Sequence, residues 1–212
     1  MKIYYDIEQG TQEWHNIRNL KFTASHASTI LAEGAGLKTL IKEMLAEHYS
    51  SGAFEEYSNR YTNKDMDRGN EFEDKARAIY EFETGNTVEQ VGFIEINKYI
   101  GCSPDGLVGD DGLIEIKNHS DKVYLELLLT DKIDKKYINQ MQMQMYVSGR
   151  KWCDYFGFNP NFTDKPFYLK RIYPDKDTFA HLDTALPQAI KQLKEQKKKL
   201  DKIMKGETSG TK

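Results

Sequence analysis

Between Cys102 and Asn118 the chain reads CSPDGLVGDDGLIEIKN, which sets four acidic residues, one lysine and three glycines among residues that otherwise read as strand. Side chains of a strand alternate faces, so in LIEIK the groups of Glu115 and Lys117 point one way with Leu113, and Ile114 and Ile116 point the other. The GDDG run predicts a hairpin turn that folds Asp105 back beside them. Two carboxylates at such a corner suit a hard divalent cation, which keeps several waters and accepts phosphate oxygens. An ammonium beside them can orient or help deprotonate an attacking water. Together these are the parts needed for metal-assisted phosphodiester hydrolysis.

Glu-x-Lys alone selects nothing, because the chain also carries Glu73 with Lys75 and Glu195 with Lys197. Those two pairs fall in helical patterns, where positions i and i+2 do not face each other. Only the strand copy has a Pro-Asp upstream. The bland alternative is an exposed hairpin salt bridge with a Gly-rich turn. A calcium loop would need D-x-[DN]-x-[DN]-G, which is absent.

The elements that must position these groups follow from the patterning. TASHASTILAEGAG predicts a capped short helix stopping at Gly34 and Gly36, and LKTLIKEMLAEHY a second one with Leu37, Leu40, Ile41, Met44 and Leu45 at helical spacing. Residues Ser50 to Met66 have no clear period and predict a long functional loop. RGNEFEDKARAIYEFETG resumes helical spacing through Phe72, Ala76, Ile79 and Tyr80, with Gly85 as its stop. Strand signals occupy TVEQVGFIEIN, IGCSPDGLVG and GLIEIKN. A helix over Tyr137 to Val147, strands in KWCDYFGFN and FYLKRIY, and a final helix from about Lys176 to Met204 complete the chain, Pro187 marking a kink or restart. The pattern is α/β or α+β, a single domain with one central mixed β-sheet flanked by helices. Residues 1–205 are expected in that domain, with 206–212 a disordered tail.

Composition excludes little. The net charge of −3 gives no global basic signature, but two bound divalent cations would make the sum positive, so a polyanionic partner remains compatible. No apolar run approaches the roughly 18 residues of a membrane span, and MKIYYDIEQG lacks the apolar core of a signal peptide. Cys102 and Cys153 are too few for a disulfide framework and read as reduced core thiols.

With Pro104-Asp105 followed by Glu115-Ile116-Lys117, the stretch resembles the PD-(D/E)xK nuclease superfamily, and the chain is similar to its lambda exonuclease and YqaJ-type phage recombinases. Four blocks carry the likeness across about residues 6 to 160: EQGTQEWHNIRNLKFTAS, RGNEFEDKARAIYEFETG, CSPDGL with IEIK, and YINQMQMQMYV. The resemblance implies a restriction-endonuclease-like core with Asp105, Glu115 and the Ile116 carbonyl as metal ligands. Lys117 would act on the nucleophilic water, Glu73 would hold metal-bound waters, and Gln140 would orient Lys117 or the phosphate. Arg18, Ser25 and Ser103 would bind the 5′-phosphate, as suits a guanidinium and hydroxyls, and Met66 would be the wedge that splits terminal base pairs.

The implied activity is a Mg²⁺-dependent 5′-to-3′ exonuclease with two ions per site, Mn²⁺ able to substitute. It would act on linear double-stranded DNA, release 5′-mononucleotides and leave 3′ overhangs for recombination. The implied setting is a homotrimer in the cytoplasm of a bacterial or phage-infected cell, working with a single-strand annealing protein. A sequence-specific endonuclease of the same superfamily and a non-catalytic DNA-end-binding protein are the alternatives. Four features call for a structure. The family's glycine two residues after Arg18 is here Leu20, and its Cys-Pro after the lysine is Asn118-His119, where His119 reads as a catalytic base or as a solvated turn histidine. Trp14 reads as a packing anchor rather than a DNA-stacking residue, and KEQKKKLDK as a solvated helix face.

Overall fold

The computed structural model describes residues 1–50 and 64–206, and within the second stretch it describes side chains from Phe72. The expected Ser50 to Met66 loop, the Met66 side chain and the 207–212 tail therefore lie wholly or largely outside the described residues. The strands are β1 (Lys2–Tyr4), β2 (Phe22–Thr23), β3 (Val88–Glu89), β4 (Phe93–Asn97), β5 (Ile100–Cys102), β6 (Gly106–Val108), β7 (Gly112–Asn118), β8 (Trp152–Phe158) and β9 (Phe167–Ile172). The helices are α1 (Gln12–Arg18), α2 (Ala27–Ala32), α3 (Ala35–Tyr49), α4 (Lys64–Thr84), α5 (Asp121–Thr130), α6 (Lys135–Ser148) and α7 (Lys176–Met204), with a 3₁₀ turn over Ala24–His26.

The central mixed sheet has the order β3-β6-β7-β8-β9 and places β7 in its middle. β6 and β7 pair antiparallel through the expected hairpin, Gly106 opposite Ile114 and Val108 opposite Gly112. Gly109 turns the corner at φ 53°, and Gly112 lies so close to the Trp152 ring that a Cβ there would sit 2.1 Å from it. β7 and β8 run parallel, a pairing that needs a crossover, and α5 and α6 supply it. A second, smaller mixed sheet of order β1-β4-β5-β2 accompanies the first.

The alternation expected along β7 is observed. Leu113 joins a large apolar cluster with Tyr124, Met141, Met143, Met145 and Leu182, whereas Ile114 and Ile116 join a smaller one with Ala76, Tyr80, Phe156 and Phe158. The sheet is thus covered on both faces, by α6, against which α7 packs, on one and by α4 on the other. Both cysteines are buried and free.

Local departures from expectation have physical causes. α1 has no buried residue and hence no apolar stripe; its Thr11 cap, which accepts from the Trp14 amide, is the signal it carries. α5 exposes Val123, Leu125 and Leu129 while burying Tyr124 and Leu127, so its apolar residues surround it and leave no readable face. The short helix α2 ends at Glu33 (φ 50°), and Gly36 lies inside the first turn of α3 instead of stopping a helix. Pro187 sits within α7, which runs on through it without a restart.

Candidate active site

Antiparallel pairing carries Asp105, the residue before β6, alongside Glu115. Its Oδ2 accepts the Ile116 amide at 2.6 Å, so the aspartate is tied to the strand that bears the other groups. Glu115 is fully buried, and both of its oxygens are occupied. Oε1 accepts from Gln140 Nε2 at 2.5 Å and from the Lys117 ammonium, and Oε2 accepts from Gln144 Nε2 at 2.6 Å. Lys117 also lies over the Tyr137 ring, 5.3 Å from its centroid.

The electrostatics follow from crowding. Burial raises the Asp105 carboxyl well above its ordinary value, the Glu115 and Glu73 charges add to the rise, and Lys117 with the Ile116 amide opposes it. Lys117 is held above the ordinary lysine value because Glu115 and Asp105 outweigh its desolvation. Glu73, half-buried near the middle of α4, is raised by burial despite Arg77 and Lys117 nearby. Its Oε1 accepts from Arg77 at 2.7 Å, so it feels the carboxylate centre while being held by its own helix.

A second cluster adjoins the first through Pro104. Ser103 Oγ accepts from Trp14 Nε1 at 2.9 Å and from an Arg18 Nη1 at 3.2 Å, and the Arg18 guanidinium stacks 4.0 Å over the Trp14 ring. Ser25 reaches Arg18 only through Thr23, whose Oγ1 lies 3.1 Å from Ser25 Oγ and 3.5 Å from Arg18 Nη2. Burial lowers the Arg18 guanidinium to about 10, which leaves it charged at neutral pH. Leu20 adopts φ 56°, so the chain keeps the left-handed backbone that glycine would favour there.

The structure therefore gathers Asp105, Glu115, Ile116, Lys117 and Gln140 at one centre, sets Glu73 at its edge, and groups Arg18, Ser25 and Ser103 in the adjoining cluster. Gln140 donates to Glu115 Oε1, the same oxygen that the Lys117 ammonium reaches, so the two meet through that carboxylate. The solvated-turn reading of His119 does not hold. It is buried, its Nε2 lies 2.6 Å from the Tyr155 hydroxyl, and burial with Lys117 and Lys136 lowers it to about 4. Trp14 is half-buried and joins neither apolar cluster; its ring lies under the Arg18 guanidinium, and its Nε1 donates to Ser103 Oγ and to the Gly92 carbonyl. Sequence reasoning missed Gln144, Thr23 and Arg77. The four-residue spacing of Gln140 and Gln144 on one helix was the available signal for Gln144.

Among the described residues, no group of three or more His, Cys, Asp or Glu side chains is gathered to hold a metal ion. The donors present are the two carboxylates and the Ile116 carbonyl. No described helix is long and apolar enough to cross a membrane.

A search of curated proteins finds no match. Two solved structures of the alkaline exonuclease LHK-Exo from Laribacter hongkongensis are similar to this chain. One matches at 32% identity with a TM-score of 0.77, covering 91% of this chain and 100% of the other. The second, in complex with dAMP, matches at 34% identity and 0.79 with the same coverage. A phage-related exonuclease from Haemophilus somnus 129PT shares the fold at 16% identity and a TM-score of 0.63, covering 87% of this chain and 98% of its own. The model of the YqaJ-like viral recombinase domain matches residues 13–151, a span that contains both clusters. The chain belongs to the YqaJ-like viral recombinase family.

Proposed function

We propose that this protein is a Mg²⁺-dependent exonuclease of the PD-(D/E)xK superfamily that degrades one strand of linear double-stranded DNA from 5′-phosphorylated ends. It releases 5′-mononucleotides and leaves 3′ single-stranded overhangs for phage-type recombination. The observation that carries this reading is the adjacency of the two clusters, because Ser103 and Asp105 are separated by one residue. Two residues span at most about 7 Å, the reach of one nucleotide rather than several.

The donor set fits a hard divalent cation. All its atoms are oxygens, and a cation between the carboxylates would offset both the burial and the neighbouring negative charges that raise Asp105. Asp105, Glu115 and the Ile116 carbonyl would hold Mg²⁺, or Mn²⁺ in its place, with two ions per site. When bound, the metal supplies Lewis-acid stabilisation and a more acidic water. The Lys117 ammonium orients the attacking water and offsets charge on the phosphate, and Glu73 holds water at the edge of the cleft. Arg18, Ser103 and Ser25 bind the terminal phosphate through a guanidinium and hydroxyls. Met66 is the proposed wedge between terminal base pairs. The protein works as a homotrimer in the cytoplasm, on linear duplex DNA and with a single-strand annealing protein.

The test is digestion of a linear duplex labelled at either end, carrying 5′-phosphate or 5′-hydroxyl, in Mg²⁺, Mn²⁺ and EDTA, beside a covalently closed plasmid. The expected result is metal-dependent release of 5′-terminal nucleotides, faster from phosphorylated ends, with the plasmid intact. Cleavage of the plasmid would support an endonuclease instead, and binding without cleavage under every metal would leave only an end-binding protein.

A further inference from the structure

Gln144 has no exposed surface, and its placement is costly by ordinary packing rules. Its Nε2 serves Glu115, but the contact to its Oε1 is the Cys153 thiol, a weak donor at 4.0 Å. A methionine would fill similar volume in the apolar setting that already holds Met141, Met143 and Met145. What a methionine cannot do is donate to Glu115 Oε2. Gln140 and Lys117 both act on Oε1, so Gln144 alone among the described residues holds the other oxygen. A carboxylate tied at one oxygen can swing about that tie; tied at both, its plane is fixed.

We propose that Gln144 is a positioning residue for Glu115, setting the rotation of its carboxylate and so preorganising the Glu115 side of a divalent-cation site. The inference rests on the metal-dependent reading above. Gln140 and Gln144 lie one helical turn apart on α6, which makes the two amides a clamp borne by one rigid element facing the centre of β7.

The test is calorimetric titration of Mn²⁺ into the DNA-free wild type, Gln144→Met and Met143→Leu, with melting in EDTA and the Mg²⁺ dependence of cleavage measured in parallel. Met143→Leu alters the same buried helix without touching Glu115's donors. Gln144→Met is expected to bind Mn²⁺ about 10- to 100-fold more weakly and to need correspondingly more Mg²⁺ for half-maximal cleavage, whereas Met143→Leu keeps wild-type affinity even if it melts earlier. If Gln144→Met fails to fold, Gln144→Asn, which keeps an amide one methylene short, replaces it with the same expectation. Wild-type Mn²⁺ affinity in the glutamine variant, or an equal loss in Met143→Leu, would overturn the positioning role. A wild type that takes up no Mn²⁺ would overturn the metal reading and this proposal with it, so the two failures are told apart by the wild type alone.

Discussion

The carboxylate centre and the Arg18 cluster lie next to each other but are built differently. Glu115 and Lys117 stand on the middle strand of a five-stranded sheet, and every oxygen of Glu115 is held by a donor. Arg18, Thr23 and Ser25 stand on a seven-residue helix, a two-residue strand and a 3₁₀ turn, and Ser25 is exposed. The first region fixes charge in place before any substrate arrives, which is how preorganised sites act on developing charge. The second is mixed, with Ser25 exposed, Arg18 partly buried and Thr23 buried, and on the proposed reading it meets a terminal phosphate that comes and goes. Loss of a part should therefore be all-or-none in the first and graded, by end chemistry, in the second.

The largest effects should come from the centre. Asp105→Ala, Glu115→Ala and Lys117→Ala are each expected to lower cleavage by at least about a thousandfold, measured as nucleotide release in Mg²⁺. Glu115→Ala also leaves the Lys117 ammonium without its main partner and should cost about 3–5 kcal/mol of stability in denaturant titration. In the adjoining cluster, Arg18→Ala removes a charge-assisted contact of about 1.5–3 kcal/mol. The rate on phosphorylated ends should fall about 10- to 100-fold while hydroxyl ends are little affected.

A smaller effect separates the regions by pH. The Asp105 carboxyl is raised from its ordinary 3.8 by burial and by the Glu115 and Glu73 charges, so the folded state favours its protonated form. Its stabilising contribution is present in acid and is lost as pH rises from the ordinary carboxylate value through the raised one. Without divalent cations the melting temperature should fall across that window, and Asp105→Asn should flatten the fall, as melting in EDTA buffers would record. An unchanged pH slope would mean that the carboxylates do not repel as the geometry implies.

The smallest expected effect is at Leu20. A left-handed leucine costs about 1–2 kcal/mol, but the side chain packs against the larger apolar cluster, and glycine adds flexibility to the unfolded chain. Leu20→Gly should change stability by less than about 1 kcal/mol and leave the preference for phosphorylated ends intact. A lost preference would show that Leu20 itself shapes the Arg18 cluster.

How much of this was legible in the sequence depended on whether a signal was local. Alternation along LIEIK and the GDDG turn foretold β7, its hairpin and the approach of Asp105 to Glu115, because period and turn chemistry are carried by neighbouring residues. Gly85, at φ 69°, ends α4 as its position implied. The small second sheet was harder to read, since β2 is two residues long and pairs with β5 across the chain. His119 looked like a turn residue because nothing nearby announces Tyr155, its partner from β8. The spacing puts Gln144 on the Gln140 face of α6, but glutamines alternating with methionines read as a core helix, and it is the tertiary approach of α6 to β7 that turns this face to Glu115, whereas Gln142 bonds Tyr173 and Asp175.

The division of labour between the two regions is tested most directly by competition between 5′-phosphorylated and 5′-hydroxyl duplexes, digested together in Mg²⁺ by the wild type, Lys117→Ala and Arg18→Ala. The account predicts that Lys117→Ala cuts neither end and that Arg18→Ala cuts both at nearly the same slow rate. Cleavage retained in Lys117→Ala, or a loss in Arg18→Ala that preserves the wild-type ratio between ends, would contradict it.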